Sequence, residues 1–259
     1  MQEIVLQGVM MRLVNLFASL LVCGFTSAAA AQSAATGAAE VNAPATGQAL
    51  APEIGKVERM NGTVTVTPAG APVRPLNTGD PVREGDLVIT EAHSEVLIKL
   101  RDETTLAMRQ LSQLRLTQFK FERSESDSFL ANLLKGSVRK VSGLIAKAQQ
   151  RNVRLTTPTA TIGIRGTDFE VIIVEEESEK TRAGTYDYVN DGGTVLQIAS
   201  GETLDVNQDQ TGLALANPRP GEAALQLIQG RPAFLRGGGF DAMMMQNARP
   251  PMIMMPGRR

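Results

Sequence analysis

Residues 155–169 constrain the fold of this chain more than any other stretch, because two strand-like runs are punctuated there by Pro158, Gly163 and Gly166. Pro158 fixes its own φ and pushes the preceding Thr157 into an extended conformation, and the glycines permit positive φ or close backbone approach. The β-branched residues between them favour a pleated surface. We therefore predict a packed strand–turn–strand unit here. Its predicted structural motif consists of Thr157, Pro158, Gly163, Arg165, Gly166 and Thr167.

The glycines of this stretch do not match a nucleotide-binding loop. A phosphate loop requires Gly-Lys-Ser/Thr at the start of a helix, and a dinucleotide turn requires Gly-x-Gly-x-x-Gly opening a helix. Gly163 and Gly166 are instead followed by residues 167–172, which are strand-like. The stretch contains no catalytic group, and we expect the protein to use no cofactor.

Alternation of apolar and polar residues extends far beyond this stretch. It begins at Ile54, is clear at Val64 and Val66, and resumes repeatedly as far as Val206. Glycine and aspartate separate the runs, as turns do between short strands. We predict an all-β fold, with a single β-sandwich or β-roll domain of many short strands over residues 53–218 and disordered N- and C-terminal segments on either side. A recurring Gly-x-Val spacing also permits a short solenoid-like stack.

Two segments have a less decisive periodicity. In residues 119–148, Leu130 and Leu134 suit one face of a helix, whereas Val138 suits a strand. Residues 222–229 follow Pro220, and proline is favoured where a helix starts. We predict one short helix there.

The first 31 residues have the pattern of a secretory signal peptide. Arg12 precedes an apolar run at residues 16–25, and small residues follow up to Ala31. We expect cleavage near Ala31 and a periplasmic or secreted protein. The first ten residues carry no basic side chain, which is consistent with a start at Met10 or Met11.

Two alternatives to a cleaved signal peptide remain. The apolar run could be an uncleaved anchor, although about 20 apolar residues are needed to cross a bilayer. A lipoprotein modified at Cys23 is the other, but the residue before Cys23 is valine rather than a small residue. We expect no stable membrane span in the mature chain. Without Cys23, the mature chain holds no cysteine and forms no disulfide.

Composition changes at both ends of the mature chain. Residues 32–52 are rich in Ala, Thr, Gly and Pro with almost no charge, so they cannot bury enough surface to fold. This composition predicts a flexible linker. Residues 219–259 should hold the short helix and a disordered tail rich in Met and Arg. Thioethers can bind Cu(I), but no His or Cys accompanies these methionines, so compositional drift is the preferred interpretation and we predict no metal site.

The residue inventory argues against an enzyme. His93 is the only histidine, which excludes a His-based triad and a two-His metal site. Asp80 and Asp86 could act as paired carboxylates, but each follows a glycine at a predicted turn, where aspartate commonly hydrogen-bonds the backbone. We therefore predict no catalytic residues.

Charge is balanced overall but segregated along the chain. There are 26 basic and 27 acidic residues, yet residues 135–154 are basic without an acid and residues 175–209 are mainly acidic. The charges could be two solvated strand faces, or a basic face that binds an anionic envelope component. With 4% aromatic residues and no Trp, we expect no binding of nucleic acid. The candidate partner-binding residues are Arg139, Lys140, Lys147, Arg151, Arg154 and Arg165.

Short motifs, most of which contain glycine, follow one another in a fixed order along the chain. They are Gly55-Lys56-Val57, Gly62-Thr63-Val64, Gly79-Asp80, Gly85-Asp86, Ser94-Glu95-Val96, Gly136-Ser137-Val138 and the Thr157-Pro158 to Gly166-Thr167 run. This ordered set resembles the FecR domain family, named for a bacterial iron-citrate regulator, and the resemblance covers roughly residues 53–207. One departure is the sequence Asp102-Glu103-Thr104, where the family usually has an Asp-Gly-Ser-type turn.

The resemblance implies a periplasmic role without enzymatic activity. Regulators of this family relay the state of an outer-membrane transporter to a cytoplasmic sigma factor, and they have an anti-sigma segment and a membrane span before the domain. Here the predicted signal peptide and short linker take that place. We therefore expect an exported FecR-like binding, scaffold or sensor module with an envelope protein as its partner. The alternative is binding of cell-wall glycan or polysaccharide through the basic surface.

Overall fold

A computed structural model describes residues 51–165 and 168–236. The predicted signal peptide at residues 1–31, the linker up to residue 50, Gly166, Thr167 and the tail beyond residue 236 lie outside the described residues. What the sequence predicts for them stays a prediction.

The described residues form eighteen strands and very little helix. The strands are β1 Glu53–Asn61, β2 Val64–Thr67, β3 Arg74–Pro75, β4 Pro81–Arg83, β5 Leu87–Thr90, β6 Glu95–Leu100, β7 Thr105–Met108, β8 Gln113–Lys120, β9 Ser128–Lys135, β10 Ser137–Val141, β11 Val153–Thr156, β12 Thr161–Ile164, β13 Asp168–Val174, β14 Gly184–Asp191, β15 Gly193–Gln197, β16 Thr203–Asn207, β17 Gln210–Leu215 and β18 Leu225–Gln229. The helices are α1 Leu144–Ala148 and α2 Ala233–Arg236, and a 3₁₀ turn spans Gln150–Asn152. The predicted all-β class is confirmed.

The strands form two nine-stranded sheets. Sheet I has the order β18-β17-β14-β13-β10-β7-β6-β1-β4, and sheet II has the order β16-β15-β12-β11-β9-β8-β5-β2-β3. Strands β9 and β11 pair in parallel, and the other described ladders are antiparallel.

One hydrophobic core lies between the two sheets. In β2, for example, Val64 and Val66 are buried and the threonines between them are half-buried. The core also takes Ile98 from sheet I and Leu114 and Ile162 from sheet II. Burying each large aliphatic side chain contributes about 1.5–3 kcal/mol, so this shared layer holds the two sheets together.

The order of the strands combines features of a β-sandwich and of a solenoid-like stack, the two architectures that the sequence permitted. Counted from β4 in one sheet and β3 in the other, both sheets follow the order of the chain except for one exchange at that end. The chain adds one or two strands to one sheet and then crosses to the other. The domain is therefore a β-sandwich that grows in one direction, as a solenoid does.

The segment with mixed periodicity folds mainly as strands. Phe129, Ala131 and Leu133 of β9 are buried in the core, whereas Leu130 is half-buried and Leu134 is 42% exposed. This period of two satisfies the core better than a helical face would, since alternate side chains of a strand point to opposite sides.

The short helix predicted at residues 222–229 is wrong. Strand β18 occupies Leu225–Gln229 and pairs antiparallel with β17. Ile228 packs against a small cluster formed by Tyr186, Leu213 and Leu215. Pairing and packing override the weak helix signal, because isolated short helices have little stability of their own.

The turn between β6 and β7 shows how the chain replaces glycine at the position where it departs from the FecR pattern. Glu103 has φ 70°, in the left-handed region that glycine prefers. Asp102 is buried and accepts hydrogen bonds from the backbone N–H of Thr104 at 3.0 Å and from its hydroxyl at 2.8 Å. These contacts hold the turn in a glycine-type geometry with a glutamate at its tip.

Candidate functional site

Three of the six candidate binding residues meet on the outer face of sheet II. In β11, Val153 and Leu155 are buried, so Arg154 between them points to solvent. Arg165 follows β12, and Arg151 lies in the 3₁₀ turn before β11. Together they line one open groove of about 540 Å³, called here the arginine groove. Its other lining residues are Gln150, Val153, Thr161, Gly163, Ile164, Val195, Gln197 and Thr203.

The strand register makes Gly163 the floor of the arginine groove. Arg154 lies opposite Gly163, Gly163 opposite Val195, and Val195 opposite Asp205. These positions form a row across four strands, and the row dips where Gly163 has no side chain. A Cβ added there would meet nothing nearer than the carbonyl oxygen of Val195 at 3.8 Å. Gly163 does not break the strand as the sequence suggested: β12 runs through it, because its backbone pairs with strands on both sides.

The arginine groove is cationic and only partly neutralised. The Arg165 guanidinium lies 3.1 Å from a carboxylate oxygen of Asp205 and donates to the side-chain oxygen of Asn207 at 3.4 Å. Within residues 51–165 and 168–236, the exposed side chains of Arg151 and Arg154 have no ion pair or hydrogen bond. The lining residues include no carboxylate, histidine or cysteine. The groove therefore offers charge for an anion but no general acid or base.

Arg151 stands on an anchored turn. The side-chain amide of Asn152 donates to the carbonyl oxygens of Glu125 and Asp127, each at 3.0 Å. The backbone N–H of Asn152 donates to Gln149 at 3.0 Å and closes the turn. These bonds tie the turn to the loop between β8 and β9.

A second cavity of about 340 Å³ adjoins the arginine groove. The two cavities share Thr161 and Gln197 as lining residues. The turn between β11 and β12 forms the far wall, with Thr157 accepting the backbone N–H of Ala160 at 3.0 Å. Pro158 lies in this turn. The cavity's lining residues are Thr157, Pro158, Thr159, Ala160, Thr161, Gln197, Ile198, Ala199 and Gly201.

The remaining three candidate residues lie elsewhere. For two of them, Arg139 and Lys140, the structure corrects the predicted binding role. Arg139 donates to both oxygens of Asp168, at 2.9 and 2.7 Å, on the outer face of sheet I, so its charge is already paired. Lys140 is 1% exposed in the core and cannot meet a partner. Lys147 lines a separate cavity of about 650 Å³ beside α1. The alternation of β10 puts Lys140 inward, on the same side as Val138.

Lys140 and Asp187 are ionisable groups inside the core. The ammonium of Lys140 donates to the hydroxyl of Ser142 at 2.9 Å, and burial lowers the pKa of Lys140 to about 8. Asp187 of sheet I accepts a hydrogen bond from the hydroxyl of Thr194 in sheet II. Burial raises the pKa of Asp187 to about 7, against the effect of that hydrogen bond. Each is a structural group remote from solvent, since both are at most 1% exposed.

The outer face of sheet I is covered by the last described segment, a feature that the sequence did not indicate. Arg231 donates to both carboxylate oxygens of Glu170, at 2.7 and 2.6 Å. The Phe234 ring meets Tyr186 edge-on at 5.0 Å between centroids. Leu235 is buried, and its carbonyl oxygen lies 3.5 Å from the Arg109 guanidinium that donates to it. Packed structure thus continues beyond the expected end at residue 218.

Sequence reasoning also missed the side of the arginine groove formed by β15 and β16. Val195 and Gln197 alternate with the buried Leu196, and Thr203 lies opposite Gln197. The sequence indicated which side chains of β15 point outward. Whether they line the groove depends on which strand lies beside β12. That pairing is a long-range property of the fold.

Two features are absent from the described part of the chain. Residues 51–165 and 168–236 contain no group of three or more His, Cys, Asp or Glu side chains placed to bind a metal ion. Their helices are also too short to cross a membrane.

The family model described as FecR protein matches residues 86–187. Over this region the chain is similar to a FecR domain. The match confirms the resemblance seen in the sequence, and it includes Arg151, Arg154 and Arg165. The opposite side of the arginine groove, with Val195 and Thr203, lies beyond the matched residues.

Two crystal structures show a distant likeness. Each is of a "putative anti-sigma factor" from Parabacteroides distasonis ATCC 8503, at 2.50 and 1.65 Å resolution. The identities are 11% and 10% and the TM-scores 0.43 and 0.42, over 56% of this chain. The chain spans 59% of the length of each. No curated protein matches the sequence.

Proposed function

We propose that this chain is a non-enzymatic binding module of the bacterial cell envelope, acting as a scaffold or sensor, and that the arginine groove is its binding surface. The observation that carries the proposal is the convergence of Arg151, Arg154 and Arg165 over Gly163, with two of the three guanidinium groups unpaired among the described residues. The FecR domain and the signal-peptide pattern support a periplasmic or secreted location.

Asp80 and Asp86, the two carboxylates considered for catalysis, have structural roles in turns. Asp80 accepts the backbone N–H of Asn77 at 2.8 Å, and Asp86 accepts that of Arg83 at 2.8 Å. Both are turn contacts of the kind that aspartate after glycine commonly makes. Burial raises the pKa of Asp86. Neither residue lines the arginine groove.

The experiment compares what the protein retains from envelope extract with and without its groove charges. We expect the full chain to retain an envelope component that the double variant R151E/R154E loses. A matched control, K56E/K180E, makes the same charge change at exposed residues outside the groove and should retain the component. Equal retention by the groove variant and the control would contradict the proposed surface.

A glycan ligand is the second candidate, and the wall of the groove favours it over a protein. Thr161, Gln197 and Thr203 present hydroxyl and amide groups beside the arginines. Such groups both donate and accept hydrogen bonds, as sugar hydroxyls require. Protein interfaces draw most of their binding energy from Trp and Tyr as well as Arg, and no aromatic residue lines the groove or its adjoining cavity.

A further inference from the structure

We propose that the arginine groove and its adjoining cavity bind an acidic polysaccharide, with a uronic-acid carboxylate held by the arginines and the following sugars lying along Thr161 and Gln197. This inference rests on the proposed function and names the ligand class of the same site. It follows from the positive charge of the groove, from the combined length of the groove and its adjoining cavity, and from the pairing of β12 on both sides.

The cationic end fits a planar oxyanion. All three positive groups that line it are guanidinium groups, which bind carboxylate through two parallel hydrogen bonds and are more weakly hydrated than ammonium groups. Arg154 lies opposite Gly163 on β11, and Arg165 comes two residues after Gly163, just beyond the end of β12. We expect a carboxylate on that floor to be within reach of both side chains.

The neutral end requires a ligand longer than a single anion. The adjoining cavity shares Thr161 and Gln197 with the groove and extends to the turn at residues 157–160. Its side-chain donors and acceptors are hydroxyls and one amide, and its lining residues include no charged group. A free phosphate or sulfate would leave this cavity unused. A chain of sugars presents hydroxyl groups along its whole length and so matches both ends.

The central position of the groove in sheet II argues against an extended peptide. Peptides that bind sheets usually add a strand at an unpaired edge. Strand β12 is paired on both sides, by β11 and β15, so its backbone has no free edge to offer. No aromatic residue lines either cavity, which also disfavours stacked bases.

Gly163 provides a test of shape that leaves charge unchanged. Its φ is outside the left-handed region, and a Cβ at this position meets only ordinary contacts. Valine suits an extended strand, so Gly163→Val should fold while filling the floor of the groove. A ligand seated in the groove is excluded by this side chain, whereas one attracted only by the general charge of the surface is not.

The experiment measures calorimetric binding of the full chain to four probes: a short oligogalacturonate, its methyl ester, polyphosphate and soluble peptidoglycan fragments. We expect the oligogalacturonate to bind, the methyl ester to bind at least about tenfold more weakly, and R154A to weaken binding about tenfold, as the loss of one charged hydrogen-bonded pair does. Gly163→Val should abolish binding, and the control K56E/K180E should leave it unchanged. Thermal unfolding of each variant shows that it is folded.

The possible failures separate this inference from the proposed function. Polyphosphate binding as tight as oligogalacturonate binding and insensitive to Gly163→Val would overturn the inference, because charge alone would then explain it. Tighter binding of peptidoglycan fragments would also overturn it. If no uronate binds but R151E/R154E still loses the envelope component, the ligand class is wrong and the binding surface stands.

Discussion

The outer faces of the two sheets use the same residue type for opposite purposes. On sheet I, Arg139 of β10 and Arg231 of the last described segment lie against the buried carboxylate of Glu170, at 3.6 and 2.6 Å. On sheet II, Arg151 and Arg154 face solvent without a described acidic partner. Arg139 is therefore structural because Glu170 lies opposite it on the neighbouring strand. Arg154 has Gly163 opposite it, so its charge is available for a ligand.

The largest predicted effect is a loss of stability with rising pH, caused by Asp187 in the core. It should not distinguish the outer faces of the two sheets. Asp187 has a folded-state pKa of about 7 against an ordinary value of 3.8, so the folded state retains a proton that the unfolded state has lost. Stability should therefore fall between about pH 4 and pH 7 and stay low above that, by as much as about 4 kcal/mol. Urea unfolding at pH 4 and pH 8 measures this loss.

Asp187→Asn removes the ionisation and should lose less stability over the same pH interval. Asp205→Asn removes an exposed carboxylate and should follow the wild type, which makes it the control. Parallel losses in wild type and Asp187→Asn would show that Asp187 is not the source. The affinity of the arginine groove should not differ between Asp187→Asn and wild type at one pH.

A change on sheet I should reduce stability without reducing binding. Arg231→Ala leaves the buried Glu170 with only the longer contact to Arg139, and removing one partner of a buried ion pair costs about 3 kcal/mol or more. The double variant with Glu170→Gln should recover part of that loss. Denaturant midpoints measure both. Loss of groove binding in folded Arg231→Ala would mean that the two faces are not independent.

A change on sheet II should give the reverse result. Arg154→Ala should leave the free energy of unfolding within about 0.5 kcal/mol of wild type, as exposed substitutions usually do, and weaken retention of the anionic ligand about tenfold. Unfolding curves and a binding titration on the same preparation test this together. A large loss of stability would assign Arg154 to the structure, as for Arg139.

The smallest predicted effect is at the turn outside either face. Glu103 lies at φ 70°, so Glu103→Gly should remove a left-handed strain and add unfolded-state entropy, with a net gain of about 0.5 kcal/mol. Thermal unfolding measures it. Glu103→Ala keeps the strain and serves as the matched comparison, and it should show no gain.

The sequence predicted the fold class well because alternation is a local signal. Val64, Val66 and Ile98 point inward as their spacing indicated. Prediction from the sequence failed where the structure depends on residues distant in the chain. Residues 225–229 form a strand because β17 lies beside them, and Lys140 is buried because the neighbours of β10 determine which of its side chains point inward. The three groove arginines were named from charge alone. Their separation from Arg139 required knowledge of which residues lie opposite each of them.

The nearly sequential order of strands in both sheets has a consequence for how the protein forms. Most strands pair with one that is already complete when they leave the ribosome. The chain visits the other sheet between many paired strands, as between β10 and β13, so these ladders close longer loops than a hairpin does, at an entropic cost that grows only slowly with loop length. Folding can then spread from β1 towards β18 while the chain is being delivered. The same serial construction would allow the domain to be lengthened by one hairpin in each sheet while the existing strand pairs keep their register.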